Sequence, residues 1–175
     1  MKPVPLFTGL EEANITETGT NEAGGAWKDT HTGLIDGKGL AGTLQDVVGK
    51  VKCGVAFKGS TPRAFFCMKL ASTKTVMKMQ FAFRTDGHDT TQGKNVKVQV
   101  GSSPQYNVND PVCMEIAQLS GSGLMDYDCD QFHAGQYVII SNDQLHLTIC
   151  EAKVFVTHPG KRDMPLLLLK ILQYK

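Results

Sequence analysis

The stretch from Thr75 to Phe83, TVMKMQFAF, alternates two sets of side chains along its length. One set is apolar throughout, consisting of Met77, Met79, Phe81 and Phe83, and the other set is mostly polar or small. An alternation of period two over this length predicts a strand with one buried face. The segment therefore favours a sheet protein.

Other segments repeat this behaviour. Lys94–Val100 predicts a second strand, with Val96, Val98 and Val100 facing inward and Asn95, Lys97 and Gln99 facing outward. Further strand candidates are Ala64–Leu70, Gln136–Ser141 and Leu145–Val156. Turn-forming residues separate the candidates, and only Leu44–Val51 has the character of a short helical turn.

The last candidate strand contains a change of phase. Leu145, Leu147 and Ile149 share one face, after which the apolar positions move to Cys150, Ala152, Val154 and Val156. A shift of one residue predicts a β-bulge at Cys150–Glu151. Short strands that follow one another without helices predict an all-β antiparallel sandwich of the jelly-roll kind.

Size and charge restrict the function. The 175 residues suit one domain, and a net charge of +1 gives no basic surplus for nucleic acid. The longest apolar run, Leu166–Leu169, is far shorter than the ~20 residues of a membrane span. Outside the strand pattern, residues 1–30 are interpreted as an extended lead-in. Residues 157–175 form an apolar tail that is a closing strand, a docked helix or a contact surface for a homo-oligomer.

Two weak motifs have simpler interpretations. Residues 37–42 match GxGxxG, but no βαβ pattern surrounds them, so a turn-rich loop is favoured. Asp126–Asp130 resembles the start of a calcium loop, but Gln131 and Tyr137 stand where that loop needs Gly and Glu, which favours an acidic surface loop. The histidines are scattered and no GxSxG motif occurs, so the chain is not expected to be an enzyme.

The five cysteines are spread along the chain without CxxC pairs, as structural disulfides would be. Their number leaves one thiol over. Disulfides of this kind favour an extracellular or secreted protein. Asn14 begins a glycosylation sequon, Asn-Ile-Thr.

Arg84 and Asp86 directly follow the clearest strand, where loops at the end of a sandwich carry function. A guanidinium oriented by a neighbouring carboxylate can donate hydrogen bonds to a sugar or a carboxylate ligand. A structural salt bridge at the end of the strand is an equally good interpretation.

The order of these segments resembles the F-type lectins, or fucolectins. Near the C-terminus, Gly135–Ile140 and Leu145–Phe155 are similar to the family's "GRYV…LTLCEVEVY". Upstream, Leu34–Gly37 is similar to its "AVDG", Ala64–Leu70 to its "WWRVDL" and Phe83–Asp86 to its "NRGD". The resemblance covers roughly residues 10–156. The resemblance implies a discoidin-like, galactose-binding-domain-like sandwich over residues 1–156 that binds a glycan or a glycoprotein.

The resemblance also implies two disulfides and a structural calcium ion. The disulfides are Cys53–Cys150 and Cys113–Cys129, which leave Cys67 as a small hydrophobe in the core. The calcium ligands implied are the carboxylates of Asp36 and Glu151 with the backbone carbonyls of Gly33, Lys38 and Cys150.

The sugar site implied by the resemblance is altered. Of three basic residues in the family's fucose motif, Arg84 is present together with Asp86, but Val55 or Phe57 occupies the usual His position and Thr91 the last basic position. We therefore expect atypical carbohydrate recognition, with a rearranged site that draws on Lys58, Arg63, His88 or Lys94. The alternative is a structural or protein-interaction module that kept the scaffold and lost sugar binding.

Overall fold

The structure, a computed structural model, describes residues 10–20, 35, 53–84, 90–119 and 123–157. These residues form strands β1 (Leu10–Glu12), β2 (Ile15–Thr20), β3 (Gly54–Phe57), β4 (Ala64–Ala82), β5 (Lys94–Gly101), β6 (Val112–Gln118), β7 (Met125–Asn142), β8 (His146–Ile149) and β9 (Glu151–Thr157). A 3-10 helix, Thr90–Gly93, precedes β5. The predicted all-β class is confirmed, and all the strand pairs are antiparallel.

A long ribbon of β4 and β7 organises the fold. The first half of β4 pairs with β2 and with the end of β7, whereas its second half pairs with β9 and with the beginning of β7. We call β2, the first half of β4, the end of β7, β5 and β6 layer A. Layer B consists of β1, β9, the second half of β4 and the beginning of β7. Strands β3 and β8 form a separate small sheet.

The ribbon doubles over between the two layers. Residues Ala64 and Arg84 would be roughly 65 Å apart in a straight strand. However, Gln92 contacts both Arg84 and Asn142, and Asn142 is the register partner of Ala64. The bend falls where the β4–β7 register shifts, between Lys69 and Lys74. Both ends of β4 therefore lie at one end of the sandwich, which we call the loop end.

A bulge in β4 corrects one predicted face. The register of β4 shifts between Val76 and Lys78 against both of its neighbours. Val76, and not Met77, therefore continues the inward series of Met79 and Phe81 in the main core. Met77 is buried outside that cluster. The simple alternation predicted for Thr75–Phe83 was wrong at this point because one extra residue reverses the parity of a strand.

The change of phase predicted near Cys150 is present, but it is a break between two strands and not the predicted β-bulge within one strand, and Leu145 is exposed outside both strands. Strand β8 pairs with β3, and β9 pairs with β4 and β1, so the chain passes from the small sheet to layer B at Cys150. The Cys150 amide donates to the Ala82 carbonyl oxygen over 2.9 Å. Leu147 and Val154 consequently enter the same core from different sheets.

Both predicted disulfides are present, Cys53–Cys150 and Cys113–Cys129. The first joins the residue before β3 to the residue between β8 and β9, at the loop end. The second joins β6 of layer A to the beginning of β7 in layer B, so it closes one edge of the sandwich. Cys67 is free and buried, as the resemblance implied, but it lies outside the main core, in a small cluster with Phe65 and Ile139.

Other predictions are corrected in detail. Ala64–Leu70 and Thr75–Phe83 belong to one continuous strand rather than two. Gln99 points outward as predicted but is buried, because its amide donates to the Asn107 and Asp110 carbonyl oxygens of an overlying loop. The predicted acidic surface loop is wrong: Asp126, Asp128 and Asp130 are exposed, but they lie in β7, and Cys129 between them is buried.

Several predictions fall partly or wholly outside the described residues. Within the predicted lead-in 1–30, β1 and β2 join layers B and A. Thr157 belongs to β9, whereas the rest of the apolar tail lies outside the described residues, as do the GxGxxG segment and Leu44–Val51. No helix of the described part of the chain is long and apolar enough to cross a membrane.

Candidate functional site at the loop end

Arg84 lies just beyond the end of β4 and is only 7% exposed. Its Nη1 donates to Oε1 of Gln92, in the 3-10 helix, over 3.1 Å. The guanidinium is therefore held in a fixed orientation at the loop end. A guanidinium is a planar, charged group that presents its N–H donors in a fixed geometry.

Gln92 is the centre of a polar network that sequence reasoning missed. Its Oε1 also accepts a hydrogen bond from Thr148 Oγ1 at 2.6 Å, and its backbone oxygen accepts one from Asn142 Nδ2 at 3.1 Å. Asn142 Nδ2 donates as well to the His146 carbonyl oxygen at 2.9 Å. These residues come from three separate parts of the chain, so no local motif could have revealed them.

The side-chain oxygen of Asn142 is buried and has no hydrogen-bond partner among the described residues. An unsatisfied buried acceptor costs about 1–3 kcal/mol. A donor supplied by water or by a hydroxyl of a ligand would remove that cost. The loop end thus combines a fixed cationic donor with an acceptor that is still open.

A second cationic group lies beside this network. Arg63 Nε donates to Ser141 Oγ at 3.0 Å, and its Nη2 donates to the Asn95 carbonyl oxygen at 2.9 Å. Arg63 lines a cavity of about 430 Å³ together with Lys97 and Glu115, whose side chains form an ion pair of 2.7 Å. Hydrogen bonding to Lys97 lowers the pKa of Glu115, so this carboxyl stays ionised.

The other predicted ligand residues are placed only in part. Lys58 is partly buried in the loop after β3, and Lys94 is exposed at the first position of β5. Asp86 and His88 lie outside the described residues. Val55 or Phe57 occupies the position of the family's His. Val55 is buried, and Phe57 packs edge-on against His146 with ring centroids 4.7 Å apart.

Glu151, the predicted calcium ligand, is only 3% exposed and pairs in register with Ala82, close to Arg84. It lines a cavity of about 230 Å³ that Ile35, Glu12 and Asn14 also line. Ile35 directly precedes Asp36, the second predicted carboxylate, in the chain. Asp36 itself, Gly33 and Lys38 lie outside the described residues, and within the described ones no group of three or more His, Cys, Asp or Glu forms a metal site. The oxygen-bearing side chains at this cavity are of the type that calcium prefers.

The fold is that of several β-sandwich proteins whose structures were solved as lectins or sugar-binding modules, and three of them illustrate the similarity. A fucolectin from striped bass (Morone saxatilis) serum matches with a TM-score of 0.52 and 20% identity, over 71% of this chain and 44% of its own. The lectin domain of lectinolysin, solved with Lewis b antigen, matches with a TM-score of 0.61 and 16% identity over 81% of this chain and 93% of its own.

A fucose-binding module from Streptococcus pneumoniae also has this fold, with a TM-score of 0.58 and 15% identity over 80% of this chain and 90% of its own. No protein-family model matches the sequence, and neither does any curated protein. The chain thus has the F-type-lectin-like fold that the sequence resemblance implied, and it spans less than half of the striped bass fucolectin.

Proposed function

We propose that the chain is an extracellular carbohydrate-binding module, stabilised by calcium, that recognises glycans at the loop end through Arg84. The observation that carries the proposal is the orientation of this nearly buried guanidinium by Gln92 at the point where both ends of β4 meet. Proteins with the same fold were solved as a fucose-binding module and in complex with Lewis b. Two disulfides are consistent with an oxidising compartment.

The glycan specificity differs from that of a standard fucose site. Val55 and Phe57 are packed into the protein, so neither offers the hydrogen bonds of the histidine that the family places here. Each hydrogen bond to a charged group contributes about 1.5–3 kcal/mol, so the missing donors weaken fucose binding strongly. Arg63 and Lys97, in the adjacent cavity, supply cationic donors in a different position and favour a glycan that carries an acidic group.

The side chains around the cavity of Glu151, next to the loop end, suit a calcium ion. Glu151 is a buried carboxylate, and it shares its cavity with Glu12 and with the residue before Asp36. A buried carboxylate is stable when a cation or strong donors compensate its charge. Calcium bound by Glu151 and Asp36 would fix β9 to the preceding segment and so support the end of β4 that carries Arg84.

An array of immobilised glycans tests this function directly. We expect the wild-type protein to retain a small set of glycans, with acidic ones among them, and to lose them when EGTA removes calcium. The Lys74→Gln variant is the control, because Lys74 pairs with Glu11 beside the bend of β4, at the opposite end of the ribbon from Arg84. An array with no signal in calcium for the correctly folded protein would contradict glycan recognition.

A second candidate function is a structural or protein-interaction module. The burial of Arg84 within a side-chain network favours it, because a network of this kind also stabilises a scaffold that binds no sugar. The same array separates the two candidates, since a scaffold of this second kind retains no glycan with or without calcium.

A further inference from the structure

A pocket lies on the outer face of layer A, away from the loop-end network. Phe66 and Met68 enter the main core, so by the alternation of a strand Phe65 and Cys67 face outward. The register places Gly19 of β2 directly opposite Cys67. The floor of the pocket is therefore made by small groups where β2 and β4 pair.

The far wall of this outer-face pocket is a loop, residues 102–111, that is fastened to the sheet. Gln99 Nε2 donates to the carbonyl oxygens of Asn107 and Asp110, each over 2.9 Å. Tyr106 of the same loop packs against Phe65, with ring centroids 6.2 Å apart. The wall is thus held in place by both polar and aromatic contacts, and the pocket has a volume of about 280 Å³.

The pocket is open because Gly19 has no side chain. A Cβ atom added at Gly19 would meet nothing within 4 Å. This differs from Gly135, on β7, where a Cβ would approach the Gly101 carbonyl oxygen to 2.6 Å. Packing therefore requires a glycine at position 135 but not at position 19, where its effect is to leave space beside Cys67.

The lining is amphipathic. Phe65 and Tyr137 supply aromatic surface, and burial raises the pKa of the Cys67 thiol to about 12, so the floor is uncharged. At the rim, Lys69 and Glu17 form an ion pair of 2.8 Å. Aromatic side chains with a few polar groups around them are the usual lining of a small-molecule pocket. The volume is near the lower limit of about 300 Å³ for such pockets, so it admits one sugar ring rather than a chain of sugars.

We propose that the outer-face pocket is a second saccharide subsite, which takes a single pyranose ring. The apolar C–H face of the ring packs on Tyr137, beside the largely buried Phe65, and its hydroxyls reach the Glu17–Lys69 pair at the rim. This inference rests on the proposed function, that the module binds glycans, and adds a site separate from Arg84. Two weak sites on one module raise the overall affinity for a branched or clustered glycan by effective concentration.

The test is an amide NMR titration with free D-galactose, L-fucose, D-mannose and N-acetylglucosamine, each raised to tens of millimolar. For at least one sugar we expect saturable shifts of the Gly19, Cys67 and Tyr137 amides, with a dissociation constant on the order of millimolar. Gly19→Leu should fill the pocket and weaken that binding at least about tenfold. Because the added Cβ meets open space, the variant should fold with an unchanged melting temperature. Gly19→Ala is the matched control and should retain binding.

The Arg84→Lys variant separates this inference from the proposed function. Shifts at Gly19 that persist in Arg84→Lys and vanish in Gly19→Leu support the second subsite, whatever becomes of the loop-end ligand. Sugar binding that Gly19→Leu leaves intact and Arg84→Lys removes would overturn the second subsite and leave the loop-end function standing. An absence of saturable shifts at the pocket with all four sugars would also overturn it.

Discussion

At the loop end, Arg84 and Thr148 both donate hydrogen bonds to Gln92, whereas the outer-face pocket, lined by Phe65 and Tyr137, has open space beside Gly19. The first region is held together by polar groups that are already partnered and largely buried. The second is a pocket beside Gly19, where Phe65 and Cys67 are largely buried and Tyr137 is partly exposed. Specificity by fixed hydrogen-bond donors is therefore expected at the loop end, and weaker contact with the face of a ring is expected in the pocket.

The two regions also depend on different supports. The loop end lies beside the Cys53–Cys150 disulfide and Glu151, at the junction between the small sheet and layer B. The pocket depends on β2 and on the loop fastened by Gln99. Perturbations should therefore affect one region and spare the other, and this independence is what the following predictions examine.

Calcium removal should have the largest effect, and it should act on the loop end. If the ion is present at 100 times its dissociation constant, it stabilises the folded protein by about 2.7 kcal/mol. EGTA should therefore lower the melting temperature by several degrees and weaken binding at the loop end, while the Gly19 amide shifts with sugar persist. Glu151→Gln should reproduce the calcium-free melting temperature and respond no further to EGTA. Equal melting of the wild type with calcium and with EGTA would contradict a bound ion.

Loss of the Gln92 side chain should have an intermediate effect. Gln92→Ala removes the acceptor of both Arg84 and Thr148, and leaving such buried donors unpaired costs about 1–3 kcal/mol. We expect urea unfolding to show this loss and calorimetry to show weaker glycan binding. Gln92→Glu keeps an acceptor oxygen in the same place and should recover much of the stability. If Gln92→Ala leaves both quantities unchanged, Arg84 is not oriented by this network.

Lowering the pH should change the free energy of unfolding least, and the change should have opposite signs in the two regions. Hydrogen bonding to Lys97 lowers the pKa of Glu115, so its stabilising contribution is present above the ordinary Glu pKa and is lost as the pH falls through the lowered value. Burial raises the pKa of Asp110 in the pocket wall, so its contribution is present at low pH and is lost as the pH rises through the raised value.

Urea unfolding between pH 3 and 7 checks these signs. At pH 7 Glu115→Gln should be less stable than the wild type, by under about 1 kcal/mol because the pair is exposed, and the difference should vanish in acid. Asp110→Asn should be as stable as the wild type or more stable at pH 7, with no advantage in acid. Parallel pH profiles for the two variants would contradict the assigned environments.

The sequence was sufficient for the strand candidates within β4, β5, β7, β8 and β9, because these depend on local alternation, and the resemblance supplied the fold and the cysteine pairing. Strands β1, β2, β3 and β6 were not predicted. Val96, Val98 and Val100 face the core as their spacing predicts, and the change of phase at Cys150 marks a real break. The bulge after Val76 was missed, since Met77 fits the alternation equally well and only pairing with the neighbouring strands decides between them.

The sites were less accessible to sequence reasoning because they assemble distant residues. Arg84 could be singled out by its place after a strand, but its partners Gln92 and Thr148 come together only when the ribbon doubles over. The pocket depends on the pairing of Gly19 with Cys67, two residues with no feature in common in the sequence. The sequence pattern was misleading for Gln99. An outward-facing amide predicts exposure, but a loop covers this one.

The central claim, that Arg84 holds a glycan at the loop end, is tested most directly by calorimetry on two matched variants. Arg84→Lys and Arg63→Lys each keep the charge and lose the planar guanidinium, and both arginines are hydrogen-bonded in the wild type. With a glycan retained on the array, we expect Arg84→Lys to weaken binding at least about tenfold, or ~1.4 kcal/mol, and Arg63→Lys to weaken it less. Full affinity in Arg84→Lys, in a protein whose melting temperature is unchanged, would contradict the account.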